Sequence, residues 1–353
     1  MTLLKIATSA RLASYIESQR GMVYLNQTDF TDVAAVVMSV EDANAGILSK
    51  LHDLGFAIPT FVAVTAQQTV SADYLPLIKG VITLGEANKA FYNAQVEAAE
   101  REYQKNLLPP FFSTLKKYVE MNNSTFSFPV YHGGEFFRKH PAGRQFFEFY
   151  GETIFRSDMC NADVKLGDLL IHEGAAKDAQ KYAAKVFNAD KTYFVLNGTS
   201  AANKVVTNAL LTRGDLVLFD RNNHKSNHHG ALIQAGATPV YLETARNPFG
   251  FIGGIDAHCF DERYLRQQLN EVAPERAGEA RPFRLAIIQL GTYDGTVYNA
   301  RQVVDSIGHL CDYILFDSAW VGYEQFIPVM KDFSPLLLAL NENDHGMTVA
   351  KAV

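Results

Sequence analysis

The sequence predicts an α/β protein with mostly parallel sheets, arranged as a small first domain, an aromatic-rich connector and a larger second domain. Three observations carry this. Short apolar runs alternate with helical segments over residues 1–107, and the same alternation returns from Asp190 onward with runs rich in Val, Ile, Leu and Phe. Between them, residues 109–165 are crowded with aromatics, Gly and Pro. Strand and helix signals in alternation favour a doubly wound sheet, and near-continuous apolar strands suit a sheet covered on both faces. A length of 353 residues fits about two domains at roughly 100–200 residues each.

In chain order, LKIA (Leu4 to Ala7), VAAVVMSV (Val33 to Val40) and FVAV (Phe61 to Val64) read as strands. EDANAGILSKLHDLG places Ile47, Leu48, Leu51 and Leu54 on one side at helical spacing. The long helical stretch EANKAFYNAQVEAAEREYQKN ends at Leu107-Leu108-Pro109-Pro110, because consecutive prolines cannot continue a helix, so a boundary falls there. In the connector, His132-Gly133-Gly134 and His140-Pro141-Ala142-Gly143 are turn signals with little clean periodicity. Its aromatic density argues for a packed segment that lines an interface or cleft. TYFVL, DLVLFD, TPVYLE, FRLAIIQL and DYILFD then read as strands of the second sheet. No internal repeat or low-complexity tract is present.

Composition narrows the function classes. Net charge is −6, from 32 Lys and Arg against 38 Asp and Glu, without a long basic run, so a nucleic-acid face is not indicated. Cys160, Cys259 and Cys311 are odd in number and widely spaced, which fits a reducing compartment and gives no CxxC pair for zinc or dithiol chemistry. The N-terminus lacks the apolar core and cleavage site of a signal peptide, and no stretch reaches the roughly 20 apolar residues of a membrane span. These features lead to the expectation of a soluble, cytoplasmic protein without nucleic-acid or membrane partners.

Ligands of open α/β sheets gather beyond the carboxyl ends of the strands, and four predicted strand ends carry polar clusters. NGTSAANK (Asn197 to Lys204) sets a Gly and two hydroxyls, Thr199 and Ser200, at a helix N-terminus, where free N–H groups and the helix dipole favour a phosphate. Simple N-capping by either hydroxyl is the ordinary alternative. DRNNHKSNHH (Asp220 to His229) holds His224 and His228 at i, i+4 spacing, but no HExxH pattern or adjacent carboxylate supports a metal, and a single functional histidine among polar surface neighbours is the simpler reading. QLGTYDGTVYN (Gln289 to Asn299) is a loop able to bring Thr292 and Asp294 to the sheet edge, or an ordinary turn. FDSAW (Phe316 to Trp320) ends an apolar strand in Asp317 beside the single Trp, so Asp317 should be buried and must find a partner, such as a protonated ring nitrogen, or serve as a structural Asp. A flat cationic heterocycle bearing a phosphate is one ligand that uses all four clusters, and a nucleotide is another.

These residues also carry a resemblance. FRSDMCNADVKLGDLLIHEG, NADKTYFVLNGTSAANK, DLVLFDRNNHKSNHHGALIQAGATPVYLE, NPFGFIGGI, LGTYDGTVYNA and DSAWVGYEQF resemble the bacterial ornithine/lysine/arginine decarboxylases over essentially Leu4 to Val353, and GYEQF is similar to the ornithine branch. The resemblance implies pyridoxal 5′-phosphate (PLP) enzymes of the aspartate-aminotransferase-type fold that release CO₂ from an amino acid, here L-ornithine to putrescine, and that form homodimers and larger rings. It implies a flavodoxin-like wing domain over 1–107, a connector over 108–165 and a PLP-binding large domain over 166–353. By that likeness Thr199 and Ser200 would hold the cofactor phosphate, His224 would stack on the ring as the catalytic His, Asp317 would pair with the ring nitrogen and Trp320 would line the pocket. No metal is implied.

Two departures from the family pattern bear on function. The family's Pro-Gly-His-Gln run appears as Pro129-Val130-Tyr131-His132, and a Val cannot adopt positive φ cheaply, so a different loop geometry is expected. The family's cofactor-anchoring lysine follows a Ser-Val-His sequence, whereas these residues read NENDHGMTVAKAV, with Ala352-Val353 at the Ser-Val place and Lys351 where the family has Gln. The expectation is a large domain truncated at its C-terminal side, with impaired decarboxylation, poor solubility alone and Lys351 an unsuitable substitute. A catalytically dead assembly partner of full-length subunits is the alternative from another class, and a metal enzyme on the histidine cluster a third.

Overall fold

The computed structural model describes residues 4–18, 21–124, 131–160, 165–168, 170–338 and 348–352. The chain separates into two compact units, residues 1–179 and 180–353.

The first unit is built on five parallel strands: β1 (Lys5–Thr8), β2 (Met22–Tyr24), β3 (Val33–Ser39), β4 (Thr60–Val64) and β5 (Gly80–Thr83). Their order, β2-β1-β3-β4-β5, is the flavodoxin-like doubly wound one. All seven residues of β3 are buried, which is why its sequence is an unbroken apolar run. Alternate residues feed opposite faces. Ile6, Ala35, Val37 and Phe61 pack with Tyr92, Val96 and Ala99 on one side, and Ala7, Val36, Met38 and Val62 with Leu48 and Leu51 on the other.

The segment predicted as one helix after β3 is two, α1 (Val40–Asn44) and α2 (Ile47–Asp53). Gly46 between them sits at φ 87°, a left-handed conformation that ends one helix and starts the next. The long α3 (Lys89–Asn106) stops ahead of the prolines, and Pro110 opens α4 (Pro110–Glu120), because a helix tolerates proline in its first turn.

The connector is more helical than its sequence suggests, with α4, α5 (Pro141–Tyr150) and α6 (Glu152–Arg156). Its aromatics pack on each other around Phe155, which is buried against Tyr131, Phe137, Phe146 and Phe147. A cavity of about 670 Å³ lies beside them, lined by Tyr118, His132, Phe136, Arg138 and Arg156 among others. Pro129 and Val130, where a changed loop was expected, lie outside the described residues.

After α7 (Gly174–Val186) and α8 (Thr199–Leu210), the second unit forms a parallel sheet. It comprises β6 (Leu216–Asp220), β7 (Thr238–Leu242), β10 (Phe283–Gln289), β11 (Cys311–Asp317) and β12 (Thr348–Ala352), in the order β12-β11-β10-β6-β7. Between these lie α9 (Lys225–His228), the antiparallel pair β8 (Thr244–Arg246) and β9 (Ile252–Ile255), α10 (Glu262–Val272) and α11 (Ala300–Ile307). Leu216, Leu218, Ile288, Ile314 and Phe316 pack with Leu265, Leu269, Val304 and Ile307 on one face. Val217, Phe219, Leu285, Ile287 and Leu315 face Leu211 and Ala231 on the other.

One predicted strand is absent. TYFVL pairs with no strand among the described residues, and Tyr193 and Leu196 are 62% and 79% exposed. β-branched and aromatic content fits a pleated surface, but a strand forms only where a neighbour supplies backbone partners.

Candidate functional site

The carboxyl edge of the second sheet collects the polar residues. β6, β10 and β11 end in Asp220, Gln289 and Asp317, each at the point where a buried apolar run leaves the sheet. Gln289 and Asp317 are register partners, and the Gln289 main-chain N–H donates to Asp220 Oδ2 at 3.2 Å. Asp220 is fully buried and also accepts from the Asn222 N–H at 2.9 Å. Burial pushes its carboxyl up to about 6, against the pull of these two N–H donors.

Asp317 is 1% exposed, as its setting in the sequence required. Its Oδ2 accepts from Asn203 Nδ2 at 2.7 Å and from Asn227 Nδ2 at 3.0 Å. Among the described residues its Oδ1 has only a long contact, 3.3 Å, from the Ala319 N–H. The two amides come from α8 and α9, so Asp317 ties both helices to the end of β11.

Thr199 and Ser200 form the first turn of α8, whose N-cap is Gly198 at φ 77° with no side-chain capping bond. Capping by either hydroxyl is therefore not what the structure shows. Ala201 and Ala202 N–H groups return to the Gly198 carbonyl. The N–H groups and hydroxyls of Thr199 and Ser200 have no partner among the described residues. This is an open turn of a twelve-residue helix, one turn before the Asn203 that holds Asp317.

His224 is the N-cap of α9, half-buried, with the Ser226 N–H donating to its Nδ1 at 3.2 Å. A backbone N–H can only donate, so Nδ1 is the acceptor and the neutral ring carries its proton on Nε2. Ser226 Oγ lies 2.9 Å from the same Nδ1 and accepts from Asn203 Nδ2 at 3.2 Å. A continuous chain thus joins Asp317, Asn203, Ser226 and His224. Gly230, in the helical segment His229–Gln234 that continues from α9, lets that segment approach α8, since a Cβ there would run into Thr207 Oγ1.

The other histidines diverge. His228 packs on Phe219, ring centroids 4.5 Å apart, and burial lowers its proton affinity, while His229 is exposed. Among the described residues no group of three His, Cys, Asp or Glu side chains could hold a metal ion.

Thr292 is spent on its own turn, its Oγ1 accepting from the Thr296 N–H, and Asp294 is exposed. Trp320 is 53% exposed in the turn after Asp317, its ring 4.9 Å from Tyr293. Lys351 pairs in register with Phe316, next to the Asp317–Ala352 pair.

Sequence reasoning passed over Asp220, Asn203, Asn227 and Ser226. A signal for Asp220 was available, since LVLFD and YILFD end alike and place an aspartate at the carboxyl end of each of the two strands that flank β10. The asparagines gave none, because Asn on a helix reads as a polar surface residue.

Comparison with known proteins shows the family. Residues 109–353 match the Orn/Lys/Arg decarboxylase major domain and residues 4–103 the N-terminal domain of the same family. The chain is 67% identical over its whole length to the constitutive ornithine decarboxylase of Escherichia coli K12, covering 48% of that protein. It is 64% identical to the ornithine decarboxylase of Haemophilus influenzae, with 99% of this chain and 48% of the relative covered. The chain thus spans about half the length of the curated relatives it matches. In structure it superposes on lysine decarboxylase A from Pseudomonas aeruginosa with a TM-score of 0.78 at 28% identity, over 100% of this chain and 52% of that one. The chain belongs to the Orn/Lys/Arg decarboxylase family.

Proposed function

We propose that these residues form the PLP-binding part of an ornithine decarboxylase, a carboxy-lyase that converts L-ornithine to putrescine. The observation that carries the reading is the open edge itself. An unengaged pair of hydroxyls and N–H groups at the start of α8 is linked through Asn203 to a buried carboxylate with one oxygen nearly free. An anion seat and a fixed negative charge at one sheet edge suit a phosphorylated pyridine. The unpartnered Ser318 Oγ, buried beside Asp317, adds a polar group that a ligand can satisfy.

In this reading Thr199 and Ser200 receive the phosphate with their N–H and O–H groups, where the helix dipole adds to the attraction. Asp317 Oδ1 would accept a hydrogen bond from the ring N–H and so hold the proton on the ring nitrogen. His224, whose Nδ1 is held by Ser226, would stack on the ring. Trp320 and Tyr293 bound the outer side. When bound, PLP supplies the electron sink for the pair released as CO₂ leaves. The identity to ornithine decarboxylases of two bacteria supports ornithine over lysine or arginine.

The cofactor is tested with pyridoxamine 5′-phosphate, which needs no lysine to bind. Saturable one-to-one binding, lost in Ser200→Ala and Thr199→Ala together, supports the reading, and no binding contradicts it. The substrate is tested by joining the chain to the remaining half of the Escherichia coli relative and assaying CO₂ release. Ornithine is expected to be turned over at least tenfold faster than lysine or arginine, a discrimination of about 1.4 kcal/mol.

A further inference from the structure

Resting on the cofactor reading above, we propose that Asn203 and Asn227 are positioning residues that clamp one oxygen of Asp317 and so reserve the other for the ring nitrogen. Both side chains are buried, at 1% and 0% exposure, and they come from different elements, α8 and α9. Both aim an Nδ2 donor at the same atom, Asp317 Oδ2, at 2.7 and 3.0 Å.

The direction of these amides is set by their surroundings. Asn227 Nδ2 also donates to Asn223 Oδ1 at 3.0 Å. Asn223 Nδ2 in turn is committed to two main-chain carbonyls, Asp220 O at 3.1 Å and Ile287 O at 2.9 Å. A carbonyl only accepts, so Asn223 must present Nδ2 to the strands and Oδ1 to Asn227. Asn227 must then present Nδ2, and its donors reach Asp317. The polarity of the chain is thus anchored on β6 and β10 and ends in donors at the carboxylate. Asn203 arrives at the same oxygen independently, with Ser226 Oγ as its second acceptor at 3.2 Å.

The clamp has a cost that marks it as more than packing. Asn203 Oδ1 and Asn227 Oδ1 are both buried without a partner among the described residues. Unsatisfied buried acceptors are unfavourable, and two donors on an anion offset them. The result is a carboxylate that cannot rotate without losing both donors, with Oδ1 as the atom left to bind.

The test uses pyridoxamine 5′-phosphate carrying ¹⁵N at the ring nitrogen, bound to the chain and followed by its ¹⁵N shift against pH. Asn203→Leu and Asn227→Leu keep the side-chain size and remove the donor. Each is expected to lower the pH at which the bound ring loses its proton by at least about one unit, the worth of a hydrogen bond to a charged group. Asn208→Leu, an exposed position of the same helix α8 whose Nδ2 reaches only the Lys204 carbonyl and Gln234, leaves both donors on Asp317 and is expected to leave that midpoint in place. Leucine variants with an unshifted midpoint overturn the clamp and leave the cofactor reading standing, as does an equal shift in Asn208→Leu. Failure of the unaltered chain to bind the probe overturns the cofactor reading, and the clamp with it. Should the leucine variants not fold, the side-chain NH₂ resonances of Asn203 and Asn227 in the unaltered chain decide the matter. They shift when the ring binds if the clamp is right, and their indifference overturns it.

Discussion

The two parallel sheets obey the same topology rule and finish it differently. Each collects polar side chains at its carboxyl edge, as open α/β sheets do. At the first edge those groups satisfy one another. Ser9 Oγ and Ser39 Oγ both donate to Asp42 Oδ2, the Ser39 N–H donates to Ser9 Oγ, and Ser39 with Asp42 closes a capping box on α1. Gln68 ties Thr65 to Glu41 nearby, and Thr8 Oγ1 is the one buried side-chain atom there without a partner among the described residues. At the second edge the accounts stay open. Among the described residues Asn203 Oδ1, Asn227 Oδ1 and Ser318 Oγ lack partners around a buried carboxylate, and the first turn of α8 has no side-chain cap. The difference teaches that a polar strand end is only a place where a ligand can bind. Unsatisfied groups converging on one volume are what single out a site.

The comparison is broken most severely at Asp317. Asp317→Ala in the chain joined to the remaining half of its Escherichia coli relative is expected to reduce ornithine decarboxylation by about 10²–10³-fold, as removal of a preorganised charge does. A loss under tenfold, measured as CO₂ release, would place the essential charge elsewhere.

Asp220 sharpens the comparison through pH, because it is a buried carboxylate that makes no ion pair among the described residues, the neighbouring Arg221 being paired with Glu243. Folding raises this group from 3.8 to about 6, so between those values the folded chain keeps a proton that the unfolded chain releases. Stability therefore falls as pH rises through that window, by up to about 3 kcal/mol above it. Urea midpoints taken between pH 4 and 7 should show the decline in the unaltered chain and a flatter profile in Asp220→Asn. Parallel profiles would exclude Asp220 as its source.

The open turn of α8 predicts a smaller effect. Thr199→Ala and Ser200→Ala should each weaken pyridoxamine 5′-phosphate binding by about tenfold, or about 1.5 kcal/mol per charge-assisted bond, with little change in thermal midpoint. Calorimetric titration of the two variants checks both halves of that statement. At the first edge the pattern inverts. Asp42→Ala should cost about 1 kcal/mol of stability by opening the capping box and leave cofactor affinity unchanged. A change in affinity there would mean the two edges are not independent.

Much of this was legible in the sequence, for a physical reason. Strands buried on both faces must be apolar throughout, so β3, β6, β10 and β11 announce themselves, and Asp317 stands out as a carboxylate at the end of such a run. The open first turn of α8 was legible because a glycine followed by two hydroxyls at a helix start is a local pattern. TYFVL misled because strand propensity describes side chains, whereas a strand also needs a neighbour. The connector's helices were hidden by aromatics that pack on one another around Phe155 instead of marking a single apolar stripe. Asn203 and Asn227 were invisible because their role depends on which end of an amide faces Asp317, and only Asn223, Ser226 and the strand carbonyls decide that.

A crystal structure of the chain with pyridoxamine 5′-phosphate tests the central claim most directly. The account predicts the phosphate on the N–H and O–H groups of Thr199 and Ser200 and the ring nitrogen hydrogen-bonded to Asp317 Oδ1. A phosphate at the carboxyl edge of the first sheet, or a ring turned with its nitrogen away from Asp317, would contradict it.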